Sequence, residues 1–200
     1  MSEAPPKTLK KLRTLTQIAA DLRQGKDFNI TRLTLLKGLC SDPDAAAQFA
    51  LYIAKKTEQA MKGPGRSRSK KQQRHQQLTS RAVRRMTAYL KNRNEEAEES
   101  LDELLLEIRV IQDRYERQRW GTVRIIESRE LLVVETALDC VLRPWAPSHL
   151  GYRLARQYAE RYNPRYGTGL IPESAPMVED IAEFWGKHLL GREWKKRLVE

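Results

Sequence analysis

Signatures of catalysis and of metal binding are missing from this chain. The two cysteines, Cys40 and Cys140, form no CxxC pair, which excludes a zinc knuckle or a dithiol redox motif. Each sits in an apolar helical pattern and reads as a buried thiol of a reducing compartment. The three histidines, His75, His149 and His188, are scattered. Neither HExxH nor ExxH occurs, and GxGxxG, GxxxxGK[ST] and GxSxG are absent as well. We therefore expect no enzyme, no cofactor, no metal site and no catalytic residue. Tyr166-Gly167-Thr168-Gly169 is the one glycine-rich spot of note, and it reads as a turn. Glu179, Asp180 and Glu183 read as complements to a helix dipole. No apolar run approaches the ~18–20 residues that span a bilayer, so no transmembrane segment is expected. MSEAPPKTLKKLR offers no hydrophobic core of a signal peptide. The expected setting is the cytoplasm or an organelle matrix.

Acid is missing locally. No carboxylate occurs between Glu58 and Glu95, while residues 59–94 hold eleven bases: Lys62, Arg66, Arg68, Lys70, Lys71, Arg74, Arg81, Arg84, Arg85, Lys91 and Arg93. The whole chain has 37 basic and 26 acidic residues, so without this window 26 of each remain. Charge confined in this way implies a polyanionic partner met locally, and these eleven are the candidate nucleic-acid-binding residues. Aromatics are sparse there, with Tyr89 alone, so base stacking has little to work with.

A second candidate contact lies at Arg153, Arg156, Arg161, Arg165 and Tyr166. Arg143, Tyr152, Tyr158 and Tyr162 interleave with them, and Glu160 is the one acid nearby. Arginine with tyrosine can stack on unpaired bases. The competing reading is that Leu150, Leu154, Tyr158 and Tyr162, spaced by four, pack on the core.

The patterning is helical throughout. From Thr8, the residues Leu9, Leu12, Leu15, Ile18, Ala19 and Leu22 recur at three and four, with Gly25 as C-cap. A second helix fits Thr31 to Leu39. Asp42 as N-cap, Pro43 in first place and Asp44 in the first turn then open a third helix to Met61. Residues 1–62 so form a three-helix unit. Residues 63–77, GPGRSRSKKQQRHQQ, lack large apolar groups and read as a flexible basic linker, with Arg-Ser-Arg-Ser a possible phosphorylation target. The C-terminal unit, 78–200, is built on a long helix over 78–119, capped by Thr79 or Ser80. Its seam runs through Val83, Leu90, Ala97, Leu101, Leu104, Ile108, Ile111 and Tyr115, in coiled-coil-like register and roughly 60 Å long. Further helices fit 124–143, 148–162 (capped by Ser148) and a last one capped by Ser174, with Trp145 in a tight turn and 163–176 irregular.

The long helix carries an anomaly. Its basic part comes first, followed by Glu95, Glu96, Glu98, Glu99, Asp102, Glu103 and Glu107 with no base between. That order opposes the helix dipole, and the i, i+4 repeat of glutamates adds roughly 0.2–0.5 kcal/mol of repulsion per pair. Charges held against such costs point to a partner.

Together these features predict an all-α, non-enzymatic binding protein that contacts RNA or a ribonucleoprotein. The alternative is a protein-interaction scaffold or assembly factor that binds an acidic or helical protein partner, or pairs with itself through the long helix. The seam, the acidic face and an amphipathic tail with Trp194 and Leu198 support that alternative. A peripheral membrane role through linker and tail ranks third.

Overall fold

Helix α3 (Pro43–Met61) starts where the chain supplies every start signal at once. Asp42 takes an extended backbone, its Oδ1 accepts a hydrogen bond from the Asp44 amide at 3.0 Å, and Pro43 fills the first position. The helix is rich in alanine, and Ala45, Ala46, Ala47, Ala50 and Ala54 are buried together with Phe49, Leu51 and Ile53. Small side chains on several faces let more than one neighbour come close. In the computed structural model, which describes residues 6–26, 30–62, 69–117, 129–143, 146–162 and 171–199, α3 is the hub. It packs against α4 (Lys70–Lys91), α6 (Arg129–Leu142), α7 (Pro147–Ala159) and α8 (Ala175–Leu190).

Helix α6 is the second hub. It is buried nearly all round, including every residue from Thr136 to Leu142, as expected of a helix apolar on all faces. It packs on α3, α4, α7 and α5 (Glu95–Arg117). Its β-branched residues permit a strand by propensity, yet each gains its neighbours from surrounding helices. Helix α1 (Pro6–Arg23) lays Leu12, Leu15, Ile18, Ala19 and Leu22 against α8. Each such fully buried leucine or isoleucine contributes ~1.5–3 kcal/mol. α1 ends in a Schellman arrangement: Gly25 has φ 71°, its amide donates to the Leu22 carbonyl, and the Lys26 amide donates to the Asp21 carbonyl. Among the described residues, two short helices, α2 (Leu36–Leu39) and α9 (Trp194–Arg197), complete the α set, with 3-10 turns at Ile30–Leu35, Glu160–Tyr162 and Pro172–Ser174. No strand occurs among the described residues, and the chain is all-α. Helices from residues 1–62 and from 78–200 contribute to one continuous buried cluster. No described helix is long and apolar enough to cross a membrane.

Several expectations are corrected. The span 78–119 is not one helix: α4 ends at Lys91, Asn92 turns extended (φ −143°, ψ 91°), and α5 restarts at Glu95. Asn94 caps the restart, its Oδ1 accepting from the Ala97 amide at 2.8 Å. α4 also begins earlier than Thr79 or Ser80. Ser69 is its N-cap, in a capping box where Ser69 Oγ accepts from the Gln72 amide and Gln72 Oε1 accepts from the Ser69 amide. Residues 70–77 of the expected flexible linker are therefore helical, and His75 is buried. Residues 63–68, including the Arg-Ser-Arg part, lie outside the described residues. Thr31 to Leu39 is mostly 3-10 rather than α. Pro147, not Ser148, opens α7, and Ser174 occupies the N-cap position of α8 without a cap hydrogen bond. Trp145, residues 118–128 with the start of the helix expected over 124–143, and the turn expected at 166–169 lie outside the described residues.

Candidate nucleic-acid interface

The α4–α5 hairpin positions the basic stretch. α4 buries one side through His75, Leu78, Thr79, Ala82, Val83 and Met86. Helical periodicity sends Lys70, Gln73, Arg74, Gln77, Arg84, Ala88 and Lys91 to the opposite side, and all seven are exposed. They form a row about 32 Å long at 1.5 Å per residue. α4 contains no acid, so the row presents cations and amides only. Gln73, Gln77 and Arg84 of the row, with Gln76 and Ser80, line a shallow concavity.

Other members of the candidate set are engaged by partners within the chain. Arg81 pairs with Glu107, and Arg85 donates to the Ser100 carbonyl, which fastens α4 to α5 in antiparallel order. Arg93 pairs with Asp44 at the start of α3. Lys62 reaches Glu58 at 2.6 Å. Burial pushes the Glu58 carboxyl up, but donation from Lys62 and Ser80 and the nearby charge of Arg84 hold it below its ordinary value. Lys71 is half-buried, and Arg66 and Arg68 lie outside the described residues. The structure thus gathers Lys70, Arg74, Arg84 and Lys91 on one open face, while Lys62, Arg81, Arg85 and Arg93 are engaged within the chain.

The arginine–tyrosine set behaves differently. Arg161 is 5% exposed and pairs with Glu130 at 3.2 Å. Arg156 pairs with Glu160 at 3.3 Å within its helix. Tyr158 is buried and donates to Asp180 Oδ2 at 2.8 Å; burial first, then the carboxylate, pushes its hydroxyl well above the ordinary range. Tyr152 is half-buried with Lys37 Nζ 5.3 Å from its ring centre. Arg153 is exposed, while Arg165 and Tyr166 lie outside the described residues. Among the described residues these side chains do not share an open face, and Tyr158 packs on the core as the spacing by four allowed.

The seam is largely used inside the chain. Val83, Leu101, Leu104, Ile108 and Ile111 are buried, with α5 packed against α6 as well as α4. The outer side of α5 stays open and acidic: Glu95, Glu96, Glu98, Glu99, Asp102 and Glu103 are exposed, as are Leu106 (56%) and Val110 (50%).

Two charge clusters escaped sequence reasoning. Arg109 of α5 bridges to Asp139 at 2.8 Å and Glu135 at 3.3 Å on α6, and Arg143 approaches Asp139 from the next turn. The signal was a pair of acids, Glu135 and Asp139, four apart in the mostly apolar body of the helix after Glu130. Burial raises the Glu135 carboxyl against the opposing pull of Arg109. Asp180, read as a dipole complement, instead joins Lys56 at 2.7 Å to Tyr158. Among the described residues no group of three or more His, Cys, Asp or Glu is arranged to hold a metal ion. Cys40 and Cys140 are buried free thiols; burial raises both, Cys140 to about 12, so neither ionises readily.

Compared with protein-family models, with curated proteins and with solved structures, the chain matches none.

Proposed function

We propose that this protein is a non-enzymatic binding protein that meets RNA, free or in a ribonucleoprotein, through the outer face of α4. One observation carries the reading: Lys70, Arg74, Arg84 and Lys91 stand exposed in a single row on a helix without acid. A helix already capped and packed presents these cations without the ordering cost that a mobile polycation meets on binding. Gln73 and Gln77 add amide donors between them. The row has no aromatic, so it suits phosphate tracking rather than base reading.

Filter binding to generic RNA at several salt concentrations tests this. Wild type should bind tightly at low salt, with a slope of about −0.7 in log K per log salt for each phosphate contact. A variant with Lys70, Arg74, Arg84 and Lys91 changed to Gln should lose about 3 from that slope, at ~0.7 per contact. No binding at low salt, or an unchanged slope in the variant, overturns the proposal.

A second reading, a scaffold or assembly factor for another protein complex, draws on the outer side of α5. There Leu106 and Val110 stand open among glutamates, a composition suited to a basic amphipathic segment. Light scattering of the full chain, with and without Leu106→Ser and Val110→Ser, tests the self-associating form of it. A monomer at every concentration excludes that form.

A further inference from the structure

The neutrality of the chain outside residues 59–94 hides a second imbalance. From Lys7 to Ala20, helix α1 carries Lys7, Lys10, Lys11 and Arg13 and no acid; Asp21 is its first. Lys7, Lys10 and Arg13 are exposed. Lys10, Arg13, Thr14, Gln17, Ile18 and Arg32 line a groove between α1 and the 3-10 turn Ile30–Leu35. Its cations come from two elements and converge on one concavity, with no acid in the lining among the described residues. Asp21, at the end of α1, accepts from Gln17 at 2.9 Å and pairs with Lys26 at 3.2 Å; those two donors, with the charge of Arg32 nearby, hold it below its ordinary value.

The C-terminal turn extends this surface. Trp194 is buried face-on against Gly186, where an added Cβ would lie 2.3 Å from the indole. Arg13 Nε donates to the Leu198 carbonyl at 2.7 Å, tying the turn to α1. Arg192, Lys195 and Lys196 are left exposed at its edge, with Glu193 reaching Lys196 at 3.3 Å. α1 packs on α8, whereas α4 packs on α3, α5 and α6, so the two basic faces belong to different walls of the molecule.

We propose that the α1 groove and the C-terminal turn form a second site for the phosphodiester backbone of nucleic acid, and that the protein bridges two nucleic-acid segments. The bridging rests on the α4 reading above; the groove does not. The exposed side of α1 carries no large apolar residue to insert into lipid, which sets it apart from an interfacial membrane helix.

The full chain tests this with three variants: the α1 face (Lys7, Lys10, Lys195 and Lys196 to Gln), the α4 face (Lys70, Arg74, Arg84 and Lys91 to Gln), and both. Titration with a short single-stranded RNA should give about two RNAs per wild-type chain and about one for either single variant, with each site strongly salt-dependent. A bead-bound RNA should capture a second, fluorescent RNA through wild type and through neither single variant. One RNA per wild-type chain, or an α1 variant that keeps both stoichiometry and capture, overturns the second site. If the α4 variant binds like wild type while the α1 variant binds nothing, the α4 reading fails and the groove stands alone, without bridging. Loss of binding to phosphatidylserine vesicles in the α1 variant, with RNA stoichiometry unchanged, would move the site to a membrane and overturn the proposal.

Discussion

Helix α4 and the segment from α7 through the turn Glu160–Tyr162 are both rich in arginine and poor in acid, yet they treat their arginines in opposite ways. In α4 the cations fall on the face away from His75, Leu78, Ala82, Val83 and Met86, so packing the helix pushes most of them outward. In the α7 segment, Arg161 falls on the packed side and meets Glu130 of α6, while Tyr158 turns under α8 to Asp180. Arginine density alone does not make a surface. The phase of the arginines against the apolar stripe does, together with whether a carboxylate waits on the neighbouring helix.

Five measurements break or sharpen that contrast. Arg161→Ala leaves Glu130 without its buried partner and should cost about 3–5 kcal/mol in chemical denaturation. Arg153→Ala, exposed on the same segment, should stay within about 0.5 kcal/mol. Similar losses at both positions would erase the distinction between the inward and outward arginines. The four-site α4 variant described above should weaken RNA binding while each substitution moves stability by no more than about 0.5 kcal/mol. A variant that unfolds would show the row to be structural.

Asn94→Ala removes the cap between the two helices of the hairpin and should cost about 1 kcal/mol, read as an earlier thermal midpoint. No change there would mean the Asn94 side chain does not hold the break. Smallest is the acid response of the exposed pairs. Arg23 donates twice to Glu179, at 2.5 and 2.6 Å, and holds that carboxyl below its ordinary 4.5; Lys187 does the same for Glu183. A depressed carboxylate stabilises the fold in full above about pH 4.5 and loses that contribution as the pH falls below it. Glu135, raised by burial, works in the opposite sense. The thermal midpoint should decline on acidification below pH 4.5, and less steeply in Glu179→Gln. An identical decline in that variant would remove the Arg23 pair from the acid response.

The all-α class was legible because the apolar spacing held over most of the chain, and α3 was legible to the residue because Asp42, Pro43 and Asp44 act locally. The hairpin was readable too, and was misread. A base-then-acid order opposes the dipole of one long helix, but it suits two. Lys91 closes the first and Glu95, Glu96 and Glu98 open the second, each charge at the end that favours it. Asn94, a polar residue on the line of the seam, is the cap. The partner-like tension of the glutamates also eases inside the chain, since Glu107 meets Arg81. What no local pattern could reveal was the pairing across helices. Arg109 with Asp139, Lys56 with Asp180 and Arg161 with Glu130 depend on which helices become neighbours, and sequence spacing carries little of that. For the candidate interface, the sequence marked the stretch, and only the packing sorted Lys70, Arg74, Arg84 and Lys91 from Arg81, Arg85 and Arg93.

The turn at Asn92–Asn94 folds an acid-free helix back along an acid-rich one, so the hairpin is an electrical doublet with its two poles side by side. A polyanion drifting in feels attraction from one flank and repulsion from the other before any contact forms. Such a field selects the orientation of landing and speeds arrival at low ionic strength, and its reach shrinks to about 10 Å at 0.1 M salt. A strand lying on α4 would also be confined to one flank, because wrapping onward around the hairpin would carry its phosphates over Glu99 and Glu103.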